Sequence, residues 1–250
     1  MRLQQRSTAA LQPGDATDCA AGGFILPDGS QWFMQTEARF QLHMITDGLK
    51  QVEELRSIVE RALRGGTDAI QLRYKAAPAL DLYTLGQILK PVIDRSGGKL
   101  LINDRLDVGL ALSADGVHLA GKSLPVDAAR RIVGPHMLLG CSVHSVEEAK
   151  RAEQQGASYV TFGHIFPTQS KPGLPPRGVG GLRDVVEAVS IPVLAIGGIT
   201  ADNVDEVLAT GCAGIAVIGA ILNGQDPELA ARQLRNKLDA SGHRPRFRLP

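Results

Sequence analysis

Cysteine is scarce in this 250-residue chain, aromatic residues make up only 4% of it, and neither sign of charge dominates. Each shortage excludes something. The three cysteines, Cys19, Cys141 and Cys212, have no metal-type spacing and cannot form an even disulfide framework. They fit a reducing, cytoplasmic setting. Lys and Arg number 27 against 26 Asp and Glu, so no basic excess is available to hold nucleic acid or an anionic membrane. No apolar run approaches the ~20 residues of a transmembrane helix. The start, Met1-Arg2-Leu3, leads into polar sequence without the apolar centre of a signal peptide.

What is present in quantity is glycine, at 28 residues, and an alternation of short apolar runs with helical patterns. The clearest case is Ile191 to Ile221. IPVLAI reads as a strand buried on both faces and ends at Gly197-Gly198. A helical pattern follows, with Ala201, Val204, Val207 and Leu208 at helix spacing and Gly211 as its stop. Ile215 to Ile218 is a second apolar run, ending at Gly219. Bare backbone N–H groups at such turns suit a phosphate. In a (β/α)8 barrel the phosphate cup is formed by the loops after the last two strands. Gly197, Gly198, Ile218 and Gly219 are therefore the expected phosphate-binding set, against a reading in which the glycines only make tight turns.

The same rhythm runs back to Gln41. QLHMIT, DAIQLRYK, KLLIND, DGVHLA, MLLGCSVH and SYVTFG read as six earlier strands. Helical stretches separate them, and a long Gly- and Pro-rich loop, Ile165 to Gly181, precedes a helix over Leu182 to Val189. Eight strand–helix units predict a single (β/α)8 TIM barrel over residues 39–250. No glycine fingerprint follows the first strand, which counts against a dinucleotide-binding sheet. Residues 1–38 lack periodicity and are read as a poorly ordered, dispensable extension.

Active sites of such barrels lie at the C-terminal ends of the strands. Polar residues gather there: Gln71, Arg73 and Lys75 on the second strand, Asn103-Asp104 on the third, His118 on the fourth, Ser142 and His144 on the fifth and His164 on the sixth. Thr168, Ser170, Lys171 and Arg177 follow in the long loop. Together they predict a polar, anion-binding mouth. His118 is expected to pack or hydrogen-bond structurally. Asp104 is placed evenly between a helix cap and a ligand role. His164 is open between a place in the mouth and simply fixing the loop. His144, two residues past Ser142 and aimed at the cup, is the expected general acid/base.

QLRYK, IND, ADGVHL, GCSVHS, FGHIFPTQSKPG and LAIGGIT, in this order, resemble the thiamin phosphate synthase/TenI family, from about Gln41 to Leu238. The resemblance implies thiamin biosynthesis and a phosphorylated thiazole as small-molecule partner, and it leaves homo-oligomerisation open. Synthases of the family join an aminopyrimidine diphosphate to a thiazole phosphate and release Mg²⁺-bound diphosphate. The TenI-type tautomerases aromatise a thiazole carboxylate phosphate and need no metal. Two departures place the tautomerase first. The carboxylate expected after GVHL is replaced by Ser123, within Ala120-Gly121-Lys122-Ser123, and the loop reads KxGLxxRG from Lys171 to Gly178. Gln71, Arg73, Lys75, Asn103, Asp104 and Thr168 match the synthase pattern instead. The implied tautomerase is metal-independent, with His144 moving protons, Arg73, Lys75 or Lys171 holding the carboxylate, and no cofactor. Mg²⁺ enters only under the synthase alternative. A non-catalytic, thiazole-phosphate-binding regulator is the third reading.

Overall fold

The computed structural model describes residues 39–247. The N-terminal extension, and the expectation that it is dispensable, lie outside them.

The chain forms a closed barrel of eight parallel strands in sequential order. The strands are β1 (Gln41–Ile45), β2 (Ala69–Leu72), β3 (Lys99–Asn103), β4 (Gly116–Leu119), β5 (Leu138–Val143), β6 (Tyr159–Gly163), β7 (Val193–Ile196) and β8 (Gly214–Val217). β1 pairs with β8 through Gln41–Gly214 to Met44–Val217, which closes the ring. The helices between them are α1 (Val52–Arg64), α2 (Ala79–Arg95), α3 (Leu106–Ala111), α4 (Val126–Val133), α5 (Val146–Gln154), α6 (Gly178–Ala188) and α7 (Val204–Leu208). α8 (Gly219–Leu222) and α9 (Pro227–Ala240) follow β8.

Side-chain periodicity divides the core into two layers. Along the strands one set of residues, such as Leu42, Met44, Ile70, Leu72, Leu100 and Ile102, meets the helices. The other set fills the barrel, where Ala69, Leu101, Leu138, Tyr159 and Leu194 form a separate cluster. α1 shows how the sequence meets the outer layer. Leu55, Ile58, Val59, Ala62 and Leu63 recur at helix spacing and are buried, while Glu53 and Glu54 open the helix and Arg61 and Arg64 end it. Each fully buried aliphatic side chain contributes about 1.5–3 kcal/mol.

The face opposite the mouth is tied by ions. Arg235 of α9 is 5% exposed, donates to the Phe40 carbonyl at 2.9 Å and reaches Asp68 at 3.2 Å. Asp68 in turn accepts the Leu42 N–H at 2.7 Å. Beyond α9 the chain folds back: Arg246 N–H donates to the Gly211 carbonyl, and Phe247 packs against the cluster inside the barrel.

Three boundaries differ from the sequence reading. β2 stops at Leu72, so Arg73 and Lys75 stand on the loop beyond it. α6 starts four residues early, at Gly178, in glycines that read as loop. α8 is too short to show a period.

Candidate active site

A chain of polar contacts crosses the top of β2, β3 and β4. Gln71, 2% exposed, donates from Nε2 to Asn103 Oδ1 at 2.8 Å, and Asn103 Nδ2 donates to Asp104 Oδ2 at 2.7 Å. Asp104 takes a positive φ of 62°. Its Oδ1 accepts the Ala120 N–H at 3.1 Å and the Ser123 hydroxyl. Of the two roles open to Asp104, the helix cap is absent: α3 starts after Arg105 with no side-chain cap, and the carboxylate serves the loop after β4. Arg73, half-buried, lies within electrostatic reach of Asp104 and Asp47. Its backbone is clasped by Thr46, whose hydroxyl accepts the Arg73 N–H at 2.9 Å.

A second group collects around the loop after β6. His144 follows β5 directly, and Ser145 caps α5 by accepting the Glu148 N–H at 3.2 Å. The Nδ1 of His144 lies 3.0 Å from the Gly163 carbonyl. A carbonyl only accepts, so Nδ1 carries the proton and Nε2 keeps its lone pair. Partial burial, with Lys171 and then Arg177 nearby, holds the pKa below the ordinary histidine value. The ring is thus biased towards its neutral form, with the Nε2 lone pair free of the Gly163 contact. It lines a cavity of about 480 Å³ together with His164, Lys171, Arg177, Phe162 and Asp184. Burial, Arg177 and Lys75 depress the Lys171 ammonium. The expected mouth cations Lys75 and Lys171 are thus close enough to sense one another. Thr168 shapes the turn that carries Lys171, its carbonyl accepting the Lys171 N–H at 3.2 Å. His164 is tied to the loop, with Nε2 3.1 Å from the Leu174 carbonyl. Two further strand-end residues sit deeper: Ser142 is half-buried beneath the mouth, 2.9 Å from the buried His118.

The glycine turns stand beside this loop. Gly197 and Gly198 have φ of 101° and 70°. A Cβ on Gly197 would meet His164 Cβ at 2.3 Å, and one on Gly198 would meet the Pro167 carbonyl oxygen at 2.5 Å. Both glycines therefore have a packing reason to lack side chains. Gly219 has none: a Cβ there would touch only Asn223 Nδ2, at 3.4 Å. Ile218 forms the N-cap of α8, and the first N–H groups of a helix have no partner within it. β7 and β8 are paired through Ile196–Ala216, which sets the two turns side by side.

Among the described residues no three His, Cys, Asp or Glu side chains converge as a metal cage, and no helix is long and apolar enough to cross a membrane. Two residues join these groups without a ligand role read from the sequence: Ser123, against Asp104, and Asp184, on the cavity. The position of Ser123 in the family pattern was the available signal for the first; nothing local marks the second.

Fold and site define a (β/α)8 barrel with its chemistry at the C-terminal mouth. The family model "Thiamine monophosphate synthase" matches residues 42–221, and the chain belongs to that family, one of thiamin biosynthesis. The chain is 47% identical over 195 residues to the thiamine-phosphate synthase of Roseiflexus castenholzii, covering 77% of this chain and 86% of the relative. It is 41% identical over 206 residues to that of Pyrococcus horikoshii, covering 82% and 98%. A solved structure, thiamine phosphate pyrophosphorylase from Pyrococcus furiosus, superposes with a TM-score of 0.73 at 42% identity, covering 80% and 96%. A 3-hexulose-6-phosphate synthase shares the fold at 20% identity and TM-score 0.61.

Proposed function

We propose that this chain is a thiamine-phosphate synthase, joining an aminopyrimidine diphosphate to a thiazole phosphate with release of diphosphate. The observation that carries this is the 41–47% identity to relatives of that name over nearly their whole length. This reverses the order reached from the sequence, where Ser123 and the loop motif put the tautomerase first.

The mouth supplies what the condensation needs. Arg73, Lys75 and Lys171 offset the charge of the departing diphosphate, which is where positioned cations assist most. Gln71 and Asn103 hold each other and the Asp104 carboxylate in place. The turns at Gly197-Gly198 and Ile218-Gly219 receive the thiazole phosphate on backbone N–H groups. Mg²⁺ takes one or two carboxylates and completes its shell with substrate phosphates and water. Asp104 offers one hard oxygen set, already sharing hydrogen bonds with Asn103, Ala120 and Ser123, so the residues fit a one-carboxylate arrangement with Ser123 beside it. When bound, the ion neutralises diphosphate charge.

A second reading, the metal-independent tautomerase, is favoured by one feature of the site. His144 presents a neutral Nε2 to a cavity bordered by Lys171 and Arg177, an arrangement suited to taking a proton beside a bound carboxylate. The condensation has no evident use for that base.

Purified protein assayed with each substrate, with and without EDTA, separates the readings. Thiamine phosphate formation that needs Mg²⁺ and disappears in EDTA is the expected result. Aromatisation of the thiazole carboxylate phosphate that persists in EDTA and is lost in His144→Ala would transfer the assignment to the tautomerase. Binding without turnover of either would leave a regulator.

A further inference from the structure

Below the mouth lies a hydrogen-bonded group that the reading above does not use. His118 on β4 is 3% exposed, and both its ring nitrogens are engaged. Nδ1 stands 3.1 Å from the Tyr159 hydroxyl, and Nε2 stands 2.9 Å from Ser142 Oγ. Thr161 Oγ1 lies 3.3 Å from both Nε2 and Ser142 Oγ.

The sequence makes room for this contact. Register sets Gly140 between His118 and Tyr159, the neighbours on β4 and β6. A Cβ on Gly140 would lie 2.4 Å from His118 Nδ1 and 2.4 Å from the Tyr159 hydroxyl. Any larger residue would fill the space in which the two meet. The Tyr159 ring is anchored below by Leu101, Leu138 and Leu194.

The polarity of the chain follows from its members. Both ring nitrogens face hydroxyl oxygens and neither faces a carboxylate, so the buried imidazole is neutral. A neutral imidazole has one donor and one acceptor nitrogen. A phenol is a stronger donor than imidazole N–H, and imidazole nitrogen a stronger acceptor than phenol oxygen. Tyr159 therefore donates to Nδ1, the ring proton stays on Nε2, and Nε2–H donates to Ser142 Oγ. Having accepted that bond, Ser142 has its own proton to give, to Thr161 Oγ1 at 3.3 Å in the free protein and to a better acceptor when a ligand brings one.

We propose that Tyr159 and His118 are positioning residues that turn the half-buried Ser142 hydroxyl into a hydrogen-bond donor towards an acceptor atom of the substrate in the mouth. The proposal rests on the enzymatic reading above for the identity of that substrate. The orientation itself belongs to the ligand-free protein.

The test has a spectroscopic arm and a kinetic arm. Nitrogen-15 histidine NMR on the free protein at neutral pH should show His118 as the Nε2–H tautomer. In Tyr159→Phe, which keeps the ring and its packing, the tautomer should become mixed. The same variant should lose about three- to tenfold in kcat, the scale of one hydrogen bond, with KM for the thiazole phosphate little changed. His118→Gln, whose amide reaches the Nε2 position, should retain most activity. His118→Asn, whose amide falls short, should lose as much as Ser142→Ala. Thermal melts confirm that each variant folds. An Nδ1–H tautomer in the unmodified protein, unchanged kcat in Tyr159→Phe, or a His118→Gln no better than His118→Asn would each overturn the proposal. Lack of turnover by the unmodified enzyme would sink the enzymatic reading alone, because the tautomer is measured without substrate.

Discussion

Ser123 carries the chemical difference between the two readings of this mouth. Its hydroxyl contacts the Asp104 carboxylate, in the place where the resembled synthases carry a second acid. A neutral hydroxyl adds little to the field that holds a hard divalent cation. Ser123→Asp should therefore lower the Mg²⁺ concentration for half-maximal condensation by about tenfold, the effect of roughly 1.4 kcal/mol of added attraction. Magnesium titration of initial rates checks this, and an unchanged midpoint would show that the diphosphate alone determines affinity for the ion. At this scale the sequence brought out part of the candidate site. Gln71, Asn103 and Asp104 were legible because strand ends in a barrel point to the mouth, and the structure links all three. The environment of each residue was not legible. That Asp104 turns to Ala120 and Ser123 rather than capping α3 depends on the loop after β4, sixteen to nineteen residues away. That Tyr159 supports His118 depends on a cross-strand register that no local pattern encodes.

Between elements, the turn after β7 is joined to the loop after β6. The Phe166 N–H donates to the Gly197 carbonyl at 3.0 Å, and within the turn itself Asn203 Nδ2 donates to the Gly198 carbonyl at 2.9 Å. Gly198 combines positive φ with the Pro167 oxygen close above it. Gly198→Ala should cost about 1–3 kcal/mol in strain and displacement of that loop. It should also raise KM for the thiazole phosphate at least tenfold, if the turn lines the phosphate site. Denaturant melts and steady-state kinetics measure the two effects. A variant with normal stability and normal KM would remove Gly198 from the phosphate set. The elements themselves were read well from period and punctuation, because parallel strands buried on both faces give unbroken apolar runs. The differences fell at the end of β2, which stops at Leu72, and where period fails: in α8, of four residues, and in the first turn of α6, where Gly178, Gly180 and Gly181 hid a helix.

Considered whole, the barrel encloses two neutral histidines. Burial lowers the pKa of His43 to about 3, with His118 as a further cause, and that of His118 to about 4. An unfolded chain takes up protons on both below about pH 6.5, whereas the folded one refuses them until far lower. Their contribution to stability is therefore complete above pH 6.5 and is lost as the pH falls towards 4. Its slope is at most about 1.4 kcal/mol per pH unit for each histidine. Urea melts at pH 7 and pH 5 should show the loss, and His43→Gln should reduce it. Equal losses in the two proteins would mean that carboxylates, not His43, set the acid sensitivity.

The described chain enters and leaves the barrel on one face. Arg39 pairs with Asp68 and Asp239, and at the other end Arg246 and Phe247 settle against Gly211 and the barrel floor. The mouth opens on the opposite side. A tether attached at residue 247 therefore pulls along the barrel axis from beneath, so a bead, an electrode or a fusion partner can carry the enzyme with substrates still arriving unobstructed from above.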